Sequence, residues 1–136
     1  MTAMAAWPLA TEAVARLERQ VSRHGVTVND RTVVWRRLGQ GAPLVLLHGG
    51  HGSWLHWVRN LEALAQHHEV WVPDLPGYGD SDSPAGTDID GLVDATRSSL
   101  DALVGADTPV RLLGFSFGGL VAATLAARRP AVTRLV

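Results

Sequence analysis

Residues 114–119 read Gly-Phe-Ser-Phe-Gly-Gly and stand between a short apolar run and an Ala-rich segment. The run over 110–113 is typical of a buried strand, and residues 120–129 are typical of a helix. A Gly-x-Ser-x-Gly pattern at such a junction forces the serine into a strained turn that lifts its hydroxyl above the sheet. The pattern predicts that Ser116 is a nucleophile. We expect Gly114, Gly118 and Gly119 to let this turn close without side-chain clashes.

The rest of the chain alternates apolar runs with helical segments after an opening hairpin. We expect a helix over 11–24, capped by Thr11 and Gly25, and hairpin strands over 26–28 and 32–38. Further strands are predicted at 44–47, 69–72, 110–113 and 132–136, helices at 54–66, 88–105 and 120–129, and a long loop at 73–86. This alternation predicts an α/β fold with a mostly parallel sheet and flanking helices. We divide the chain into an appended N-terminal helix over 1–25 and an α/β domain over 26–136.

Composition and charge limit the partners of the chain. The net charge of −1 gives no reason to expect nucleic acid or an acidic membrane surface as a partner. The absence of cysteine excludes a disulfide, a thiolate zinc site and a catalytic thiol. There is no leader-like start, and no apolar run approaches the ~20 residues needed to span a bilayer. We expect a cytoplasmic protein that acts on a small-molecule substrate without a cofactor or metal.

A second glycine-rich loop follows the apolar strand over 44–47. It begins His48-Gly49-Gly50, at the position where a backbone N–H can face the serine. Attack of a serine on a carbonyl group develops a negative oxygen, which preorganised N–H groups stabilise by several kcal/mol. We expect Phe117, which follows the serine, to supply one such N–H. Gly50 is the preferred source of the other, with His51 as an alternative.

Other polar residues are expected to be structural. Asp74 and Asp80, in the loop after the strand over 69–72, are assigned hydrogen-bonding roles. His48 is interpreted as a donor that locks its loop, while His51 and His56 are expected near the mouth of the site. The remaining histidines are interpreted as solvated residues at helix ends: His24, His67 and His68. Adjacent histidines cannot face one metal from a helix, so no metal site is predicted.

These motifs, taken in order from about residue 26 to residue 136, resemble the α/β-hydrolase superfamily. The resemblance rests on the hairpin, the His-Gly-Gly loop, the Asp-Leu-Pro-Gly-Tyr-Gly-Asp-Ser loop at 74–81, and the serine turn. It implies that Ser116 is the nucleophile and that the N–H groups of Phe117 and Gly50 form the oxyanion hole. Haloalkane dehalogenases and epoxide hydrolases of this family have Asp at the turn, so the serine argues against both. Esterases, lipases, cofactor-free perhydrolases, peptidases and carbon–carbon bond hydrolases remain open.

The family places an acid and then a histidine after the nucleophile, and this sequence has neither after Ser116. We therefore expect a truncated α/β-hydrolase fold preceded by an N-terminal helix: a truncated gene product, a partial sequence, or one piece of a split protein. The preferred function is a serine hydrolase of ester-like or activated carbonyl substrates that forms an acyl-enzyme. The alternatives are a catalytically inactive interaction module, half of a split hydrolase, and a compact hydrolase that uses His51 or His56 as its base. The strand over 132–136 has no following strand, so we expect self-association through this unpaired edge.

Overall fold

The computed structural model describes the backbone of residues 2–136 and the side chains of residues 11–136. Its elements follow one another in the alternating order that the sequence predicts. The helices are α1 (Thr2–Gln20), α2 (Leu61–Ala65), α3 (Ile89–Val104) and α4 (Phe117–Arg128), with a 3₁₀ helix at Trp54–Trp57. The strands are β1 (Ser22–Val28), β2 (Arg31–Leu38), β3 (Ala42–Leu47), β4 (His68–Pro73), β5 (Val110–Gly114) and β6 (Val132–Leu135).

The strands form one sheet in the order β1-β2-β4-β3-β5-β6. The hairpin strands β1 and β2 are antiparallel to each other, and β2 is antiparallel to β4. The pairings of β3 with β4, β3 with β5, and β5 with β6 are parallel. The hairpin turns at Asn29 and Asp30, whose φ values of 50° and 65° are those of a tight type I′ turn. The predicted α/β fold with a mostly parallel sheet is confirmed.

Both faces of the sheet are covered, which explains the unalternated apolar runs in the sequence. Val45 and Leu47 of β3 pack with residues of α3 and α4 in one core. Leu44 and Leu46 point to the other face, where they pack with Trp54 and with residues of α1 and α2. Because strand side chains alternate between faces, one strand supplies both cores. The carboxyl ends of β3 and β5 lie side by side and carry the two loops of the candidate site.

The first helix and strand differ from the prediction. Thr11 lies inside α1 and does not cap it, and the helix ends at Gln20. Gly25 does not cap a helix either, because Ser22–Gly25 belong to β1 and pair with β2 from Arg37 to Val34. This extension pairs with the second half of β2, which a local helix pattern cannot reveal. Leu17 of α1 is buried in the second core, and the division at residue 25 stays a prediction.

The helix predicted over 54–66 is in fact two short helices. Ser53 caps the 3₁₀ helix by accepting a hydrogen bond from the Leu55 N–H at 3.2 Å. A 3₁₀ helix brings side chains three residues apart onto the same face, and here it buries Trp54 and Trp57 together. The chain then turns before α2 begins at Leu61. Burial of the two tryptophans therefore overrides a continuous α-helix.

Other boundaries shift slightly. Helix α4 begins at Phe117, directly after the serine, rather than at residue 120. Strand β6 ends at Leu135, although Val136 still donates to the Leu112 oxygen and accepts from the Gly114 N–H. Within the part of the chain that the structure describes, no helix has both the length and the apolar character that a bilayer span requires.

Candidate active site

Ser116 occupies the turn between β5 and α4, as predicted. Its φ of 55° and ψ of −119° are unusual for a residue with a side chain, and such a conformation costs of order 1–3 kcal/mol. Hydrogen bonds hold the turn: the Phe115 N–H donates to the Leu47 oxygen at 3.0 Å, and the Gly119 N–H donates to the Ser116 oxygen at 2.8 Å. Ser116 is exposed. Its hydroxyl makes no hydrogen bond within residues 11–136.

Two of the three glycines in this turn are required by packing, and the third is not. A Cβ on Gly114 would overlap the backbone of Gly118 and Gly119. A Cβ on Gly118 would overlap the carbonyl groups of Leu47 and His48. On Gly119, however, the nearest atom would be the Gly114 oxygen at 3.7 Å, an ordinary contact. The expectation that all three glycines are needed is therefore wrong for Gly119.

The structure brings the two predicted oxyanion donors together. Phe117 is the first residue of α4, where a helix leaves its N–H groups without helical partners. Gly50 lies opposite, so that a Cβ on it would be 3.9 Å from the Phe117 Cβ. Neither N–H group has a hydrogen-bond partner in the described part of the chain. The alternative donor, His51, has a φ of 59° and lies one residue further along the loop.

His48 fixes the peptide group that carries the Gly50 N–H. Its Nε2 accepts from the Leu75 N–H at 3.0 Å, so Nδ1 carries the proton and donates to the Gly49 oxygen at 2.8 Å. The Gly52 N–H donates to the same oxygen at 3.2 Å. In a trans peptide the C=O and N–H point in opposite directions, so these bonds to the Gly49 oxygen also set the direction of the Gly50 N–H. The interpretation of His48 as a loop-locking donor is confirmed.

His48 is fully buried, which lowers the pKa of its imidazole below the ordinary value. Burial removes water from the charged form and is the largest cause. The hydrogen bond to Gly49 and the charge of Asp74 act in the opposite direction, and His56 adds to the lowering. The neutral form of His48 is therefore the one that holds the loop.

Asp74 organises the loop after β4. Its buried carboxylate accepts from Arg36 Nη1 at 2.9 Å, from the Trp54 N–H at 2.9 Å and from the Asp80 N–H at 3.0 Å. Asp80, which is exposed, accepts from the other guanidinium nitrogen, Nη2 of Arg36, at 2.7 Å. The structural roles predicted for Asp74 and Asp80 are confirmed.

Sequence reasoning missed Arg36 as the partner of both carboxylates. Its guanidinium is buried and also lies 4.7 Å from the centre of the Trp54 ring. The sequence signal was the pair of charged residues Arg36 and Arg37 among the apolar residues of Val33–Leu38. A charge at such a position requires a buried partner of opposite sign.

The other histidines lie in three different settings. His56 Nδ1 accepts from the Gly49 N–H at 3.2 Å, and His51 lines the cleft described below. Neither forms a hydrogen bond with Ser116. His24 is in β1, 5.3 Å from the Trp71 ring, so its assignment to a helix end is wrong. His67 is exposed, and His68 opens β4.

A cleft of about 440 Å³ opens beside Phe117. Tyr78 forms part of its wall, with its ring 5.2 Å from the His48 ring and 6.4 Å from the Phe117 ring. The remaining lining residues come from the loops after β3 and β4 and from the start of α3: His51, Pro76, Gly77, Pro84, Gly86, Thr87, Asp88, Ile89 and Leu92. Sequence reasoning did not place Tyr78 or the start of α3 at the site, because only the folded path of the 74–88 loop brings them there.

No group of three or more metal-ligating side chains is found among the residues with described side chains. The site combines the exposed Ser116 with the N–H groups of Phe117 and Gly50, which have no hydrogen-bond partner in the described part of the chain.

Comparison with known proteins identifies similar chains. The family model of the alpha/beta hydrolase fold matches residues 42–136. A soluble epoxide hydrolase of Corynebacterium sp. strain C12 is 36% identical over 78% of this chain and 37% of its own length. A pimeloyl-[acyl-carrier protein] methyl ester esterase of Vibrio campbellii is 39% identical over 71% of this chain and 35% of its own length. A 2-hydroxymuconate semialdehyde hydrolase of Pseudomonas sp. strain CF600 is 39% identical over 72% of this chain and 36% of its own length.

A solved structure shows the same similarity to the alpha/beta hydrolase fold. The structure of the epoxide hydrolase CorEH without ligand matches with a TM-score of 0.77 and 35% identity, over 85% of this chain and 41% of that one. The chain thus spans well under half the length of these relatives.

Proposed function

The chain belongs to the α/β-hydrolase fold family, and we propose that it carries the nucleophile and oxyanion hole of a serine hydrolase. The observation that carries this proposal is the geometry at Ser116: an exposed serine on a strained turn, directly before Phe117, whose N–H group, like that of the nearby Gly50, has no hydrogen-bond partner in the described part of the chain. A backbone keeps strain of this kind only where the surrounding structure imposes it.

In the proposed reaction, Ser116 Oγ attacks the carbonyl carbon of an ester-like or activated carbonyl substrate. The carbonyl oxygen becomes an oxyanion, which accepts hydrogen bonds from the Phe117 and Gly50 N–H groups. The bond to the leaving group breaks, the leaving group takes a proton, and an acyl-Ser116 intermediate remains. Water then attacks this ester, releases the acid and returns the proton to Oγ.

The base that takes the Ser116 proton is a separate question. Residues 117–136 contain no Asp, Glu or His, and His51 and His56 make no hydrogen bond to Ser116. We propose that the acid and the base are supplied by polypeptide other than these residues, as part of a longer protein or of a partner chain. By themselves, residues 1–136 should then be nearly inert, because loss of the base and acid lowers the rate by about 10⁴- to 10⁶-fold.

The relatives support hydrolysis but differ in the bond that is cleaved. The methyl ester esterase favours an ester substrate, and the 2-hydroxymuconate semialdehyde hydrolase favours an alternative within the enzyme interpretation, cleavage of a carbon–carbon bond. A perhydrolase would use the same serine with peroxide in place of water. The chain is also similar to epoxide hydrolases. Ser116 argues against epoxide hydrolysis, because epoxide hydrolases of this family have an aspartate at the turn. Ester hydrolysis is the preferred proposal.

Labelling with a fluorophosphonate probe tests the proposal. Intact-mass analysis and peptide mapping should find a weak adduct on Ser116 in the chain alone. A strong adduct is expected after addition of a purified fragment that covers the part of the Vibrio campbellii esterase following its matched region. The Ser116→Ala variant should lose the adduct, whereas Ser83→Ala, which alters an exposed serine outside the turn, should retain it.

An adduct on another residue would overturn the assignment of Ser116. If no fragment of any relative raises labelling, the inactive interaction module becomes the better reading. Turnover of p-nitrophenyl esters at an ordinary ~10 s⁻¹ by the chain alone, lost in Ser116→Ala, would instead favour a compact hydrolase with its own base. The cytoplasmic location expected from the sequence stays a prediction that cell fractionation can test.

A further inference from the structure

His56 connects the two loops that supply the proposed oxyanion donors. Its Nδ1 accepts the Gly49 N–H at 3.2 Å, across seven residues of chain. Its ring lies edge-on to the His48 ring and to the Phe115 ring, with 5.9 Å between centroids in each case. His48 opens the Gly50 loop, whereas Phe115 directly precedes the nucleophile. One imidazole therefore contacts both loops.

The contact of His56 with its own loop is close. A Cβ on Gly52 would overlap the His56 ring, so the ring lies directly on the Gly52 backbone. The Gly52 N–H in turn donates to the Gly49 oxygen. His56 thus contacts the loop at two points, one on each side of Gly50.

These contacts constrain the Gly50 N–H from the side that His48 leaves free. His48 and Gly52 hold the Gly49 oxygen, while His56 holds the Gly49 N–H. With both ends of Gly49 bonded, its φ and ψ cannot change without loss of a hydrogen bond. The next N–H, that of Gly50, then keeps its direction. As an acceptor, Nδ1 carries no proton, so the neutral ring has its proton on Nε2.

We propose that His56 is a positioning residue for the oxyanion hole, which holds the Gly50 N–H in register with the Phe117 N–H. The proposal rests on the proposed function of Ser116. The exposure of His56 supports it, because a ring outside both apolar cores contributes little to burial. Its contacts are instead concentrated on the loop and the turn that flank the nucleophile.

Two substitutions separate the hydrogen bond from the shape of the side chain. His56→Asn places an amide oxygen on Cγ, where Nδ1 is attached in histidine, and keeps the acceptor. His56→Leu places a methyl group there and removes it. His67→Leu, at an exposed position remote from the site, is the matched control for loss of an imidazole.

Amide hydrogen exchange measured by NMR tests the hydrogen bond in the chain itself, whether or not it is active. We expect the Gly49 amide to exchange roughly 5- to 10-fold faster in His56→Leu. It should exchange near the parent rate in His56→Asn and in His67→Leu. Equal Gly49 exchange in the parent and in His56→Leu would overturn the proposal.

The rate of fluorophosphonate labelling of Ser116, measured with the complementing fragment present, tests the catalytic consequence. Loss of a whole oxyanion donor costs about 10²- to 10³-fold, so a loosened donor should lower the rate by roughly 10-fold in His56→Leu. His56→Asn should stay within about 3-fold of the parent. If the parent is labelled and His56→Leu is labelled equally fast, the positioning role is overturned while the proposed function survives. If the parent is never labelled at Ser116, the proposed function fails, and the catalytic role of His56 fails with it.

Discussion

Gly118, at the start of α4, lies against the carbonyl group of Leu47, at the end of β3, so closely that no Cβ can be placed between them. This contact sets the distance between the serine turn and the loop that begins at His48. A helix that could not approach the strand end would move the Phe117 N–H away from the Gly50 N–H. The packing of one glycine is therefore linked to the geometry of the proposed oxyanion hole.

Substitution of Gly118 by alanine should be strongly destabilising, because the added methyl group must displace backbone atoms of Leu47 and His48. We expect Gly118→Ala to lower the free energy of unfolding by about 2 kcal/mol or more. Gly119→Ala is the matched control, since its Cβ has room and alanine favours the helix by about 0.5–1 kcal/mol. Urea denaturation of both variants checks the prediction. If the two variants changed stability in the same direction, the packing argument would be wrong.

Ser116→Gly should stabilise the chain while it removes the proposed nucleophile. Glycine adopts a positive φ without the cost that serine bears, so a gain of about 1 kcal/mol is expected. Ser116→Ala keeps a Cβ in the same strained backbone and should give no such gain. Thermal or urea melts of the three proteins provide the measurement. A Ser116→Gly variant no more stable than Ser116→Ala would mean that the turn is not strained in solution.

The serine turn could be predicted because its sequence signal is local. The pattern Gly114-x-Ser116-x-Gly118 stands directly between an apolar run and an Ala-rich segment, which indicate a strand and a helix. The family model, which covers residues 42–136, agrees with the predicted fold.

Features that depend on distant contacts could not be predicted. His24 follows a helical pattern, but pairing of β1 with β2 and the Trp71 ring place it in a strand. Arg36 became interpretable only when the folded loop brought Asp74 and Asp80 to it. The bond from Gly49 to His56 likewise depends on the path of a loop that has no regular pattern.

Substitution within the buried pair of Arg36 and Asp74 should lower the free energy of unfolding far more than substitution of the exposed Asp80, which binds the same guanidinium. Asp74→Asn leaves the Arg36 guanidinium buried beside an uncharged partner, at a cost of about 3–5 kcal/mol. Asp80→Asn alters the other contact of that guanidinium, but Asp80 is 54% exposed, so a loss within about 1 kcal/mol is expected. Urea melts measure both values. If Asp74→Asn and Asp80→Asn lowered the free energy of unfolding equally, burial would not be what makes the Arg36–Asp74 pair important for stability.

Acid should weaken the fold through His48. Because burial lowers the pKa of His48 in the folded state, the unfolded chain binds more protons once the pH falls below the unfolded pKa of about 6.5. The free energy of unfolding should therefore be fully maintained above that pH and should decrease as the pH is lowered from about 6.5. His48→Gln can still accept from the Leu75 N–H but does not titrate, so its stability should fall less over the same interval. Urea melts at pH 7.5 and pH 5.5 give the change in the free energy of unfolding for the parent and for His48→Gln. Identical changes in the two proteins would exclude His48 as the cause.

The edge of the sheet at β6 should make the chain self-associate. Of the strands described, only β5 pairs with β6, and the outer row of its N–H and C=O groups faces solvent. Leu135 and Val136 are 44% and 72% exposed beside this edge, and an apolar, unpaired strand is a template for a second copy of the same chain. We expect dimers or larger species at micromolar concentration.

Leu135→Lys should reduce association because a charge on an edge strand opposes pairing. Leu120→Lys adds the same charge at a 55% exposed leucine on α4, away from the edge, and should associate like the parent. Light scattering and sedimentation distinguish these outcomes. A monodisperse parent that unfolds cooperatively with more than about 5 kcal/mol of stability would show that the β6 edge needs no partner.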